Sequence, residues 1–65
     1  MTAPLSPRQL ECLRLLTEGY SSKDIARQMA LSVHTVNQHI GEIYRRLGVS
    51  KNSQAVAVAL RRNLV

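Results

Sequence analysis

A short stretch of the chain carries side chains suited to hydrogen bonding with nucleic-acid bases. Asn37 and Gln38 are adjacent, and both end in a carboxamide. His34 precedes them and Arg45 follows them. A carboxamide can donate and accept at the adenine edge in the major groove, and a guanidinium can donate twice to guanine. Gly41 lies between these groups, where a missing side chain would let the backbone come close to a partner.

These side chains can act together only if one rigid element holds them on one side, and residues 32–47 carry the signals of such a helix. Ser32 is a favoured N-cap, and Leu31 and Val36 have the spacing of a hydrophobic staple around it. Apolar residues then recur at three- and four-residue steps, at Val33, Val36, Ile40, Ile43 and Leu47. We therefore expect this apolar stripe to face a core and the base-binding candidates to lie on the other flank.

The same signals predict three further helices. Ser6 and Gln9 form a capping box at the start of the first helix, and Gly19 can end it. Ser21 caps the second, and the link from residue 30 to residue 32 allows only a sharp turn into the third, which is typical of a helix-turn-helix. The predicted fold is all-α, a four-helix bundle with helices at about residues 6–18, 21–30, 32–47 and 51–62.

The apolar residues also predict which helix faces are buried. In the first two helices we expect an inner face of Leu10, Cys12, Leu13, Leu15, Leu16, Ile25, Ala26 and Met29. In the fourth we expect an inner face of Ala55, Val56, Ala59 and Leu60. Ala57 and Val58 then point elsewhere, which predicts a dimer contact at Ala57, Val58 and Arg61. The alternative is that small apolar residues are simply tolerated at the surface.

Length, charge and cysteine content further limit the number of domains and the kinds of partner that the chain can have. The chain has 65 residues, which predicts one domain over 1–65, and nine Lys and Arg against four Asp and Glu give a formal net charge of +5. This balance favours a polyanionic partner, although it also serves plain solubility. We expect the thiol of Cys12 to act as a small buried hydrophobe rather than a redox switch. His34 and His39 lie five residues apart, not the four that would put two ligands on one helical face, so a metal site is not expected. No cofactor is expected either.

Three other classes find little support in the sequence. The longest unbroken apolar run, residues 55–60, is far too short to span a membrane, and no signal peptide is visible, so we expect a cytoplasmic protein. An enzyme is not expected, because no nucleophile–base set, paired carboxylates or glycine-rich phosphate loop can be found. Recognition of RNA or single strands usually needs aromatic stacking platforms, and the chain has two tyrosines and no Phe or Trp.

The span from residue 5 to residue 65 resembles the LuxR-type helix-turn-helix domain of bacterial transcriptional regulators. The motifs that carry the resemblance are Lys23-x-Ile25-Ala26, Thr35-Val36-x-x-His39 and Leu47-Gly48-Val49. The resemblance implies a third helix in the major groove of promoter or operator DNA and a fourth that mediates homodimerisation, with RNA polymerase as a further partner. It implies base contacts at Asn37, Gln38 and Gly41, and backbone contacts near Lys23, Thr35 and Arg46.

This chain departs from the family's usual residues at a few positions. Asn37 stands where the family usually has Lys, Asn52 where it often has Arg, and Gln9 where it usually has Glu. The first departure removes a phosphate or guanine contact and supplies an amide instead. We expect His39, which matches the family's His, to have a structural role, because it lies beside the apolar stripe.

The positive charges predict contacts with DNA phosphates. Lys23, at the start of the second helix, can hold a phosphate together with free backbone N–H groups. The Thr35 hydroxyl and the charges of Arg46 and Lys51 complete the predicted backbone set. With the charge of Arg45 added, about four neutralised phosphates would give a salt slope of roughly −3.6 per protomer. Glu42 would repel phosphate unless it accepts a hydrogen bond from cytosine or turns toward the arginines that follow it.

The leading hypothesis is sequence-specific binding of double-stranded DNA by a homodimer, for transcriptional regulation. The alternative is a protein-interaction module that uses the same fold to bind another regulator. Such a module would keep the apolar stripes but would have no need of Lys23, Thr35 and the adjacent arginines Arg45 and Arg46. Their presence favours DNA.

Overall fold

The computed structural model describes residues 5–65, which form four α-helices: α1 (Pro7–Thr17), α2 (Ser22–Met29), α3 (Val33–Leu47) and α4 (Asn52–Arg61). Each predicted boundary lies within one residue of the observed one, so the all-α prediction is confirmed. The predicted domain also includes residues 1–4, which lie outside the described range. No helix of the described chain is long and apolar enough to cross a membrane.

Serine side chains start the first three helices, as predicted. The hydroxyl oxygens of Ser6, Ser21 and Ser32 accept from backbone N–H groups three residues further on, at 3.1, 3.2 and 3.0 Å. The Gln9 side chain accepts in return from the Ser6 N–H at 3.0 Å, which completes the capping box. These bonds satisfy N–H groups that a helix leaves without partners in its first turn.

The four helices also share one way of ending. In each, a residue in the left-handed conformation follows the last turn: Gly19, Ala30, Gly48 and Asn63, with φ of 90°, 56°, 71° and 54°. The next N–H then donates to a carbonyl five residues back, as from Leu31 to Ala26 at 2.9 Å and from Val49 to Tyr44 at 2.9 Å. Ala30 is the unexpected member, since its Cβ disfavours this conformation.

The core lies where α3 crosses the other helices. α2 packs against α3, and α1 packs against both α3 and α4. The largest fully buried side chains are Leu13, Ile25, Ile43, Val36 and Cys12. On α1 the inner face is slightly rotated from the prediction, because Leu10 is only half-buried whereas Gln9 is buried.

The predicted inner faces of α3 and α4 need correction at single residues. Val33 was expected in the core, but it is 43% exposed. On α4 the buried residues are Ala55, Val58 and Ala59, whereas Leu60 is 59% exposed. The expectation that Val58 points away from the core was therefore wrong, and so was the expectation that Leu60 faces it. Because apolar residues lie on every side of α4, the sequence does not show which side faces the core. Only the packing of the helices determines that side.

Candidate nucleic-acid interface

One flank of α3 carries all the residues predicted to read bases. His34, Asn37, Gln38, Gly41 and Arg45 are exposed, and their spacing of three or four residues sets them on one side of the helix. We call these five residues the α3 flank. The structure thus brings the predicted set together on one rigid element, whose opposite side is fixed by the buried residues Val36, Ile43 and Leu47. Base contact itself stays a prediction.

Val33 is a residue of this surface that sequence reasoning missed. It is the first residue of α3 and precedes Asn37 by one helical turn, so its exposed side chain lies beside the α3 flank. An exposed valine next to amides can contact the methyl group of thymine in a major groove. The signal that could have found it is its place directly after the N-cap, at the end of the helix rather than in its middle.

Gly41 leaves an open place in the middle of the flank. A Cβ built on this residue would meet no described atom within 4 Å. Packing within the described chain therefore gives no reason for a glycine in a helix interior, where it costs about 1 kcal/mol relative to alanine. The absent side chain leaves the α3 backbone accessible to a partner at this point.

Glu42, at the edge of the flank, turns toward the two arginines that follow it. Its Oε2 accepts from Arg45 Nη2 at 2.6 Å, and its Oε1 lies 3.7 Å from Arg46 Nη2. The hydrogen bond and the positive charge of Arg45 hold the pKa of the Glu42 carboxyl below its usual range. The sequence left open whether Glu42 accepts a hydrogen bond from cytosine or turns toward the arginines that follow it. In the structure it turns toward the arginines.

An open cleft of about 500 Å³ adjoins the flank on the α1 side. Gln9 lines it from α1, and Gln38, His39, Gly41, Glu42 and Arg45 line it from α3. His39 is half-buried there, which agrees with its predicted place beside the apolar stripe; its structural role stays a prediction. Gln9 has two places in the structure: its side chain accepts from the Ser6 N–H in the capping box, and it also forms part of the wall of this cleft.

The residues predicted to contact the DNA backbone are spread over three helix starts and one helix end. Lys23 is exposed in the first turn of α2, and Lys51 is exposed at the N-cap of α4, where it makes no side-chain cap. Thr35 is half-buried and its Oγ1 accepts from the Ser32 hydroxyl at 3.0 Å. Arg46 lies in the last turn of α3, beside Glu42. Of this set, Thr35 and Arg46 lie on α3 together with the predicted base-reading residues.

The predicted dimer residues are divided by the fold. Ala57 and Arg61 are exposed on α4, one turn apart, whereas Val58 is 8% exposed and belongs to the core. Leu60 is exposed instead, and it adjoins both. We call Ala57, Leu60 and Arg61 the α4 flank.

The structure also bears on thiol chemistry and on metal binding. Cys12 is fully buried, and burial, with a smaller contribution from the charge of Glu11, raises the pKa of its thiol to about 11. The thiol therefore packs as a small hydrophobe, as predicted, because the reactive thiolate is disfavoured. Within residues 5–65, no group of three His, Cys, Asp or Glu side chains could hold a metal ion.

Comparisons with known proteins point to one family. The family model described as "Bacterial regulatory proteins, luxR family" matches residues 3–59. The oxygen regulatory protein NreC of Staphylococcus aureus is 39% identical over 61 residues, which cover 94% of this chain. The chain spans 28% of NreC and 6% to 7% of longer curated relatives.

Solved structures agree with the family match. The structure of the transcription factor GerE has a TM-score of 0.85 and 42% identity, and the match covers 92% of this chain and 90% of GerE. The VqmA protein of Vibrio cholerae, a LuxR-type receptor whose structure is described as a dimer in the absence of target DNA, has a TM-score of 0.92 and 32% identity; the match covers 97% of this chain and 28% of VqmA.

Proposed function

The chain belongs to the luxR family of bacterial regulatory proteins, which bind DNA and regulate transcription, and we propose that its α3 flank lies in the major groove of double-stranded DNA and reads the base sequence. The observation that carries this proposal is the exposed row of two amides and a guanidinium with a side-chain-free position between them. Asn37 and Gln38 would bind adenine edges, and Arg45 a guanine or a phosphate. At the start of α3, His34 and Val33 would also contact bases.

Phosphate contacts would fix the domain on the duplex. Lys23, Thr35, Arg46 and Lys51 are the proposed set, and each lies in a first or last helical turn or at a cap. The N–H groups at the start of α2 add a favourable dipole for a phosphate near Lys23. The three cations of this set give a salt slope of roughly −2.7 per protomer, and a phosphate contact from Arg45 would bring it to roughly −3.6.

A second copy of the chain would bind through the α4 flank. Leu60 is a large apolar side chain that is 59% exposed, and the small side chain of Ala57 lies next to it, so a second helix can approach closely. VqmA, which is similar in structure, is described as a dimer. Two protomers would then read half-sites whose centres lie about 10 base pairs apart. The chain would serve as the DNA-binding domain of a cytoplasmic regulator.

Selection from a random pool of duplexes tests the base-reading proposal. The 65-residue chain should enrich one family of sequences, and its affinity for the selected duplex should exceed that for a scrambled duplex of the same composition. Chemical-shift mapping on the selected duplex should then place the largest changes at Asn37, Gln38 and Gly41. Enrichment of no sequence, or changes that leave the α3 flank untouched, would contradict the proposal and favour a protein partner.

A further inference from the structure

Glu42 is the one acidic side chain of α3, and it lies among the cations proposed to meet DNA. Its side chain is 34% exposed, whereas the Arg45 side chain, whose Nη2 donates to Glu42 Oε2 at 2.6 Å, is 73% exposed. Arg45 is thus the more exposed partner of the pair. Arg46, at 3.7 Å, approaches the other carboxylate oxygen. In the free domain both arginines therefore lie beside an internal anion.

A carboxylate and a phosphate are the same kind of partner for a guanidinium. To bind a DNA phosphate or a base, the guanidinium of Arg45 must either leave the Glu42 carboxylate or divide its N–H donors between the two partners. Binding to unrelated duplexes comes almost entirely from cations that neutralise phosphates and release counterions. A cation that is already neutralised within the protein contributes less to that term. The free-energy cost of separating Arg45 from Glu42 therefore weakens most strongly the complexes in which no base contacts hold α3 in place.

From this geometry we infer that Glu42 is a positioning residue that competes with DNA phosphate for Arg45, and so determines specificity by weakening binding to unrelated sequences. The inference rests on the proposed function. On a cognate duplex, the hydrogen bonds of Asn37 and Gln38 would fix the helix and give Arg45 a defined partner, so the cost of separating Arg45 from Glu42 is offset. On an unrelated duplex it is not.

The test compares two isosteric variants, Glu42→Gln and Glu18→Gln. Glu18 is a matched control, because it also accepts from an arginine, Arg14, at 2.9 Å, but at the end of α1. Each variant removes one negative charge, which changes the formal net charge from +5 to +6. The affinities for the selected duplex and for a scrambled duplex are measured from about 50 to 200 mM salt, with circular dichroism to verify the fold.

We expect Glu42→Gln to raise the affinity for the scrambled duplex by about threefold at the low-salt end and to steepen its salt slope by about 0.9, the effect of one additional phosphate contact. The affinity for the selected duplex should rise less, so the ratio between the two falls. Glu18→Gln should leave that ratio unchanged. Adding Arg45→Ala to Glu42→Gln should cancel the gain, because the effect acts through Arg45.

Three results would overturn the inference. An equal gain from Glu18→Gln would mean that total charge alone matters. A loss confined to the selected duplex would mean that Glu42 reads a base directly. An unchanged ratio in Glu42→Gln would mean that the ion pair does not compete with DNA, while the wild-type preference for the selected duplex would leave the proposed function standing. If the wild-type chain prefers no duplex, the proposed function fails first, and this inference with it.

Discussion

The exposed flanks of α3 and α4 have opposite chemistry, although both helices pack into the same core. The α3 flank presents amides, a guanidinium and a bare backbone position, whereas the α4 flank presents Leu60 and Ala57 beside Arg61. A polar, cationic surface suits a hydrated polyanion, and an apolar one suits another protein surface. Under the proposed function, one small domain would divide two kinds of recognition between two helices, DNA binding on α3 and dimerisation on α4, with both helices packed into the same core.

The largest effect should come from the boundary between the α4 flank and the core. Val58 and Ala57 are adjacent, but Val58 is 8% exposed and Ala57 lies outside. Val58→Asp would bury a carboxylate without a partner and should cost about 3 kcal/mol or more, which is a large part of the stability of a domain this small. Ala57→Asp should stay folded and lose dimerisation. Circular dichroism and sedimentation measure the two outcomes.

The pair also tests the assignment of surfaces on α4. If Val58→Asp folds and only fails to dimerise, then Val58 does lie at the surface of the free protomer, as the sequence alone suggested. If Ala57→Asp still dimerises, the α4 flank is not the interface.

The next largest effect should come from the amides of α3. Asn37→Ala or Gln38→Ala removes a side chain that can bind a base in two-pronged fashion, and should reduce discrimination between the selected and the scrambled duplex by about 1–3 kcal/mol. Asn52→Ala is the control, since it removes an exposed amide from α4. Equal discrimination in Asn37→Ala, Gln38→Ala and Asn52→Ala would place base reading outside the α3 flank.

A smaller effect is expected at the start of α2. Lys23→Gln should weaken binding to all duplexes alike and make the salt slope shallower by about 0.9, because one phosphate contact is lost. Arg14→Gln removes the same charge from α1, where Arg14 pairs with Glu18 at 2.9 Å, and should change the slope less. A loss at Lys23 that depends on base sequence would show that this residue does more than bind phosphate. The affinities of the two duplexes over a salt series provide the measurement.

The sequence predicted what depends on neighbouring residues and missed what depends on packing. The caps at Ser6, Ser21 and Ser32 were predictable because a capping side chain and the backbone N–H that donates to it lie three residues apart. The buried side of α4 was not, because residues 55–60 are apolar on every side and allow several rotations of the helix. The exposure of Val33 goes with its place directly after the N-cap, at the end of α3, and the periodicity of the apolar residues takes no account of that place.

The candidate site shows the same division. The grouping of the proposed base-reading residues on one flank was predictable because they share one helix and a regular spacing, so helix geometry alone brings them together. The partner of Glu42 was not, because Arg45 and Arg46 are both within reach at three and four residues, and a base or solvent was equally compatible with the sequence. Only the packed side chains distinguish these possibilities.

The smallest predicted effect concerns the two turns that flank α3. Ala30 and Gly48 both adopt left-handed conformations, with φ of 56° and 71°. A left-handed alanine costs about 1–2 kcal/mol, of which the greater chain entropy of an unfolded glycine offsets about 0.5–1. Ala30→Gly should therefore stabilise the domain by up to about 1.5 kcal/mol in urea unfolding. Gly48→Ala should destabilise it by a similar amount, through the backbone alone, since its Cβ would meet no described atom within 4 Å.

Opposite signs for these two variants would show that the helix-turn-helix connection stores backbone strain that the connection from α3 to α4 avoids. Ala30 is exposed, so its methyl group has little packing to lose. Because Leu31 follows Ala30 and packs against the core, the strained turn fixes the entry of α3 into the bundle. If Ala30→Gly stabilises the domain and also weakens discrimination between duplexes, the rigid alanine turn helps to position the α3 flank. If discrimination is unchanged, the turn bears only on stability and the core alone orients α3.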